Sequence, residues 1–177
     1  MTLMAPDYRP LVRAVLDGYA LDPWGTHGLA HWARVLENGL RLADATGADP
    51  TLICLFAILH DSRRLSEHRD PDHGLRGAQL AAFLRTGLPI LSALPDPDFD
   101  RLSTACARHT DTDLHDDPTI RTCWDADRLD LPRVGKTIQT RFLNSGAARE
   151  SETITWATRR SESGYTPDWI KTDWGCE

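Results

Sequence analysis

The chain has 177 residues, and 26 acidic against 20 basic side chains leave a net charge of -6. At that length folding buries about 70% of the surface an unfolded chain exposes, so one ordinary core needs no disulfide or metal staple, and any metal is expected to serve function. The acidic balance argues against a coat on nucleic acid or on an anionic membrane, which calls for a basic stripe, while leaving room for a small phosphorylated ligand.

In chain order, the opening MTLMAPDYRP has neither a basic n-region nor an apolar h-region, so no signal peptide is expected. Leu11, Val12, Val15, Leu16 and Tyr19 recur at helical spacing in a first helix that Asp22 and Pro23 stop. Thr26 is placed to cap a second helix, with Leu29, Trp32, Ala33, Val35, Leu36, Leu40 and Ala43 as its apolar positions and Gly47 at its end. Asp49-Pro50 reads as an N-cap followed by proline at the first helical position, opening a third helix through Leu59. That helix is apolar nearly all round, which predicts the central, buried element. Its run Leu52 to Leu59 is far short of the ~20 residues a bilayer span requires.

A polar linker from Ser62 to Asp72 leads to a fourth helix over His73 to Arg85, then a turn at Thr86-Gly87 and a Pro89 to Pro97 segment. A fifth helix is expected from near Asp98 to His109 and a sixth from Pro118 to about Leu131, each preceded by aspartates able to cap it. One more helix fits between Arg141 and Ser161, docked by Trp156, and the last stretch, GYTPDWIKTDWGCE, reads as an irregular tail anchored by Trp169 and Trp174. No repeat, low-complexity tract or strand alternation is visible. The expectation is all-α: a single helical domain over 1-177, with its core at about 8-135 and a C-terminal helix and tail over 136-177. Cys54, Cys106, Cys123 and Cys176 form no CxxC pair and read as thiols in a reducing compartment, so a cytoplasmic protein is expected.

The informative feature is where histidines and aspartates fall on these helices. His27 and His31 are four apart and share a face. His60-Asp61 closes the apolar third helix, His73 opens the fourth, His109 closes the fifth, and Asp125 and Asp127 lie late in the sixth. Imidazole and carboxylate suit divalent metals, and ligands at helix ends around one buried helix can converge at one mouth.

This ordered set resembles the HD-domain superfamily of metal-dependent phosphohydrolases: a His, a His-Asp doublet and a distant Asp on a helical bundle. The matching positions are His31 in HGLAHWARV, His60 and Asp61 in AILHDSRR, and Asp127 in DADRLDL, over about Gly25 to Gly135. The resemblance implies a bundle of about six or seven helices and a metal site of His31, His60, Asp61 and Asp127. The binuclear members imply a second site in which Asp61 bridges to His73 and His109. One or two ions of Mn, Fe, Co, Ni, Zn or Mg are the implied cofactor.

His27, one turn before His31, reads either as a proton donor to the leaving group or as a structural residue. Asp125 reads either as the carboxylate that fixes a ligand histidine or as a solvated residue. Arg63 and Arg64 follow the doublet and Arg128 follows Asp127, tethering guanidiniums near any metal there; Arg64 is the first choice for gripping a phosphate, Arg76 and Arg108 weaker ones. His68 and His115 sit in polar loops as expected bystanders.

Two short motifs fail. Val134-Gly135-Lys136-Thr137 ends like a P-loop, but Asp130 stands where its first glycine is required and no strand leads in. Gly164-Tyr165-Thr166-Pro167 resembles the GYP signature of cyclic-dinucleotide phosphodiesterases, yet it lies far beyond Asp127 and Thr166 interrupts it.

The expected activity is hydrolysis of a phosphate ester or anhydride of a small molecule, a nucleotide first. A mixed-valent di-iron oxygenase with the same six ligands is the alternative, disfavoured because neither Lys136 nor Lys171 falls inside the ligand-bearing span. A non-catalytic module that senses a nucleotide or a protein is the third reading.

Overall fold

The computed structural model describes residues 6-110 and 114-176, and these are helical, with no strand among them. The first five residues, on which part of the N-terminal reading rests, lie outside the described residues. Among the described residues nine α-helices run in order: α1 Arg9–Leu16, α2 Leu29–Thr46, α3 Pro50–Leu59, α4 His73–Arg85, α5 Pro89–Ser92, α6 Asp96–Arg108, α7 Pro118–Arg128, α8 Gly146–Arg149 and α9 Ser151–Glu162. No helix among the described residues is long and apolar enough to cross a membrane.

The predicted central helix is central. Asp49 caps α3 by accepting the Thr51 and Leu52 N–H groups, and seven of its ten residues, Leu52, Ile53 and Leu55 to Leu59, are buried. It packs against α1, α2, α4, α6 and α7. Each of its large side chains withdrawn from water contributes about 1.5–3 kcal/mol, which makes α3 the element the rest of the bundle is built on. Because α3 is fixed at the centre, so is the His60-Asp61 doublet at its C-terminal end.

Close approach elsewhere depends on glycine. A Cβ on Gly39 would meet the side chain of Ile53, so its absence lets α2 lie on α3. On α4, a Cβ on Gly77 would meet the Leu59 carbonyl and one on Gly74 the Cys106 carbonyl, so α4 rests directly on the backbone of α3 and α6. His73 thereby reaches the end of the central helix.

Several boundaries differ from the sequence reading. The second helix is capped by Gly28 rather than Thr26: the Leu29 N–H donates to the Pro23 carbonyl (2.7 Å), which sits where a side chain at residue 28 would be. The sixth helix stops at Arg128, and Leu131–Val134 continues as a 3-10 turn ended by Gly135 at φ 71°. The single helix expected over Arg141 to Ser161 is divided, with α8 and α9 separated at Glu150, whose backbone is extended. The expected irregular tail contains a π-helical turn, Ile170–Trp174, that packs on α1 and buries Ile170 and Trp174. Trp169 and Trp174 do anchor it, edge to face at 5.0 Å, with the Trp169 indole N–H donating to Glu37 (2.9 Å). The four cysteines are free thiols, three buried and Cys54 half-buried.

Candidate metal centre

His31 lies in the first turn of α2, His60 and Asp61 at the end of α3, His73 at the start of α4, His109 just after α6 and Asp127 in the last turn of α7. The fold brings all six to one end of the bundle. The four imidazoles are buried, none more than 3% exposed, and Asp61 is 2% exposed, while the Asp127 side chain reaches the surface of a cavity of about 470 Å³. Three subsets have ligand atoms close enough to hold a metal ion: His31, His60 and Asp127; Asp61, His73 and His109; and His27, His31 and Asp61.

Proton positions follow from partners that can only accept. His60 Nδ1 faces the carbonyls of Phe56 and Ala57 (both 3.1 Å), His109 Nδ1 that of Cys106 (2.8 Å), and His73 Nδ1 that of Asp70. Each must carry its hydrogen on Nδ1. His31 Nδ1 donates to Asp130 (2.7 Å), a carboxylate already forked by Arg34. In the neutral rings every Nε2 is then a bare lone pair, and these converge: His31 and His60 Nε2 are 3.1 Å apart, His73 and His109 Nε2 2.9 Å.

Around the first pair stand carboxylate oxygens, and around the second a carboxylate oxygen and the Arg64 guanidinium, 3.1 Å from His73 Nε2. Asp127 Oδ1 is 3.5 Å from His31 and 3.8 Å from His60, and Asp61 Oδ2 is 3.6 and 3.8 Å from the same two nitrogens. The other Asp61 oxygen, Oδ1, is 3.0 Å from His73 and 3.7 Å from His109. One shared proton can serve each imidazole pair, but a cation satisfies the whole set of lone pairs. This donor set fits a metal ion, and the two oxygens of Asp61 face different histidine pairs.

The electrostatics match. Burial pushes the His60 pKa down to about 3, so the ring stays neutral and able to ligate at physiological pH. Burial also opposes charge on Asp61 and Asp127, but the surrounding histidines outweigh it and hold both carboxyls well below the ordinary range. His109 responds in the opposite sense to His60: burial disfavours its charge, yet the nearby carboxylates of Asp61 and Asp127 raise its pKa overall.

His27 joins the cluster from outside. Its Nδ1 is 2.9 Å from Asp61 Oδ2 and 3.1 Å from Arg133 Nη2, so it takes one of these partners at a time, and its Nε2 faces Glu67 (3.8 Å). Arg64 is buried and lines the cavity, but its guanidinium is engaged by Asp61 Oδ1 (3.4 Å), His73 Nε2 (3.1 Å) and the Ser66 and His68 carbonyls. Its positive charge therefore already rests on the acceptors of the second histidine pair. Arg128 lines an adjoining lobe that shares His109, Thr110, Asp127, Leu131 and Lys136 with the first cavity.

Several sequence readings need correction. Arg63 does not line the cavity, because its guanidinium turns onto the Val15 carbonyl of α1 and its own neighbour Ser62. Arg76 is likewise spent on Asp70 and the Arg63 carbonyl, and Arg108 is exposed away from the lining. Asp125 fixes no ligand histidine: it accepts from the Asn144 and Ser145 backbone and so pins the chain after α7. Its expected task belongs to Asp130. His68, an expected bystander, lines the cavity, whereas His115 packs on Trp124.

Sequence reasoning missed Asp130, Arg34, Glu67, Arg133 and Lys136. Asp127, Asp130 and Arg133 follow one another at intervals of three, a spacing that keeps them on one side as α7 runs into its 3-10 turn, and that signal was readable. Lys136 lies outside the ligand-bearing span in sequence, yet the turn at Gly135 brings it onto the cavity wall. No family model, curated protein or solved structure matches this chain.

Proposed function

We propose that the protein is a metal-dependent phosphohydrolase of the HD-domain type, acting on a phosphate ester or anhydride of a small molecule, a nucleotide first. The observation that carries this reading is the convergence of four bare imidazole nitrogens on two carboxylates beside a cavity whose wall holds Arg133 and Lys136. Two divalent ions fit the division of Asp61: His31, His60, Asp61 and Asp127 would hold one, and Asp61, His73 and His109 the other. Bound there, such ions supply Lewis-acid polarisation of phosphoryl oxygens and make water acidic enough to attack near neutral pH.

The chain's own residues do the rest. Nδ1 bonds to backbone carbonyls orient His60, His73 and His109 before any ion arrives, so ligation costs little rearrangement. His27 braces Asp61 from the side away from His73 and so keeps the carboxylate turned to both histidine pairs. Lys136 offsets phosphate charge. Arg133, held by the Thr26 and Asp130 carbonyls and by His27, and Arg128, which donates to the Phe142 carbonyl in the adjoining lobe, add positive potential from the wall. In that lobe Ile138 and Phe142 give an apolar surface for the remainder of the substrate. Arg64 reaches a phosphate only by leaving Asp61 and His73.

Metal analysis of protein purified without added ions, followed by a panel of nucleotides and phosphate esters, tests the reading. It expects two divalent ions per chain, hydrolysis of at least one class, loss of activity in both His60→Ala and Asp61→Ala, and loss of one ion in the first variant and of both in the second. No turnover across the panel, with metal content unchanged in those variants, would overturn it. Lys136 on the cavity wall restores weight to the second reading, a di-iron oxygenase acting on an anionic substrate. Iron content, an EPR signal from the half-reduced state and substrate-dependent O₂ uptake distinguish the two.

A further inference from the structure

The four converging histidines are not supported alike. Three give their Nδ1 hydrogen to backbone carbonyls, whereas His31 gives its own to the side chain of Asp130. Asp130 is 1% exposed and does not touch the other three rings by any hydrogen bond or ion pair in the described residues. Arg34, 4% exposed and one turn of α2 beyond His31, forks it through Nε (2.7 Å) and Nη2 (3.0 Å), and the third Arg34 nitrogen donates to the Tyr165 carbonyl (2.9 Å). Ser161 Oγ at the end of α9 donates to the Asp130 backbone carbonyl (3.0 Å). A buried carboxylate with two strong charged donors and one imidazole is placed by all three.

We propose that Asp130 is the positioning residue of the His31 side of this centre. It takes the Nδ1 hydrogen of His31, aims the bare Nε2 at Asp61 and Asp127, and is itself held in place by the Arg34 fork that the Tyr165 segment anchors. The C-terminal segment, beyond all the ligands in sequence, thus helps set affinity at one half of the centre and not at the other. This inference rests on the two-ion reading above, and its test separates the two ideas.

Removing such a supporting carboxylate costs about 10–100-fold in metal affinity. Mn²⁺ titration by calorimetry should show one of two binding events weakened by about that factor in Asp130→Asn, with the other unchanged. Arg34→Lys keeps the charge and loses the fork, so it should weaken the same event by less. Ser161→Ala, which loosens only the backbone of residue 130, should lower the melting temperature and leave both events as they are. In metal-free protein labelled with ¹⁵N-histidine, the hydrogen-bonded Nδ1 proton of His31 should be visible in the wild type and lost or moved upfield in Asp130→Asn.

If the wild type binds Mn²⁺ and Asp130→Asn binds both ions equally tightly, or weakens both equally, the positioning role is wrong. If the wild type binds no metal, the two-ion reading fails, and the Nδ1 signal still decides whether Asp130 sets the His31 tautomer. A variant that does not fold is replaced by Arg34→Lys, for which the same selective loss is required.

Discussion

His31, His60 and Asp127 come from α2, the end of α3 and α7, whereas His73 and His109 come from α4 and the end of α6, helices that pack most extensively on one another while contributing to the same core. In the first half His31 is backed by a buried carboxylate and guanidinium, Asp130 and Arg34, while His60 rests on main-chain carbonyls. The second is backed by main-chain carbonyls and fronted by Arg64, whose positive charge already faces His73 and Asp61. Only Asp61 belongs to both. The difference teaches that one cluster can draw its two halves from different sets of helices around the same core, joined by a single carboxylate.

Asp61→Ala should therefore have the largest effect. It removes one oxygen from each histidine pair at once, so on the proposed two-ion reading both ions should be lost, with a fall in turnover larger than the roughly 10–100-fold that a supporting residue costs. His109→Ala is the natural partner experiment, because it should take one ion and leave the other. Metal stoichiometry measured on both variants checks the division. Retention of both ions in Asp61→Ala would break the idea that this residue joins the halves.

Acid should separate the halves with opposite signs. His60 in the folded protein has its pKa pushed down to about 3 by burial, against about 6.5 when unfolded, so below pH 6.5 the unfolded chain takes up a proton that the folded one refuses. Stability of the metal-free protein should fall as pH drops from about 6.5 toward 3, each unit of separation being worth about 1.4 kcal/mol at most. His109 has a raised pKa, so its contribution is present below 6.5 and is lost as pH rises through its folded value. Urea midpoints measured in chelator from pH 8 to pH 4 should show a shallower acid loss in His60→Gln and a steeper one in His109→Gln. Identical slopes would mean that the two histidines share one environment after all.

The sequence made the first half easier to read than its supports. The apolar run ending in His60-Asp61 shows both that the helix is buried and where its ligands emerge, because periodicity and punctuation are local properties. His73 and His109 were legible for the same reason, each standing at a helix end. That Asp130 and not Asp125 supports a histidine depends on where the chain goes after α7: the turn at Leu131–Val134 leaves Asp130 beneath His31, while Asp125 faces the returning Asn144-Ser145 backbone. Arg63 and Arg64 are adjacent and chemically identical, and only the course of the chain sends one to α1 and the other to the cavity. Partners 96 to 131 residues apart, such as Arg34 with Asp130 and Tyr165, leave no mark on local pattern.

The smallest expected effect probes the mounting of the second half. Gly77 lies one turn beyond His73, and a methyl group there would meet the Leu59 carbonyl, a backbone atom at the end of the buried helix that cannot move aside cheaply. Gly77→Ala should cost about 1–3 kcal/mol by overpacking, even though alanine is the better helix former. Because α4 must lift away from α3, His73 should retreat from Asp61, so the second binding event should weaken while the first, on α2, α3 and α7, stays as it is. Gly87→Ala is the control: nothing lies within 4 Å of the added methyl group, and its effect should be near zero or slightly stabilising. Thermal melts in chelator and Mn²⁺ titrations on the two variants make the comparison. Equal stability, or equal loss at both binding events, would show that the α4 half is not separately mounted.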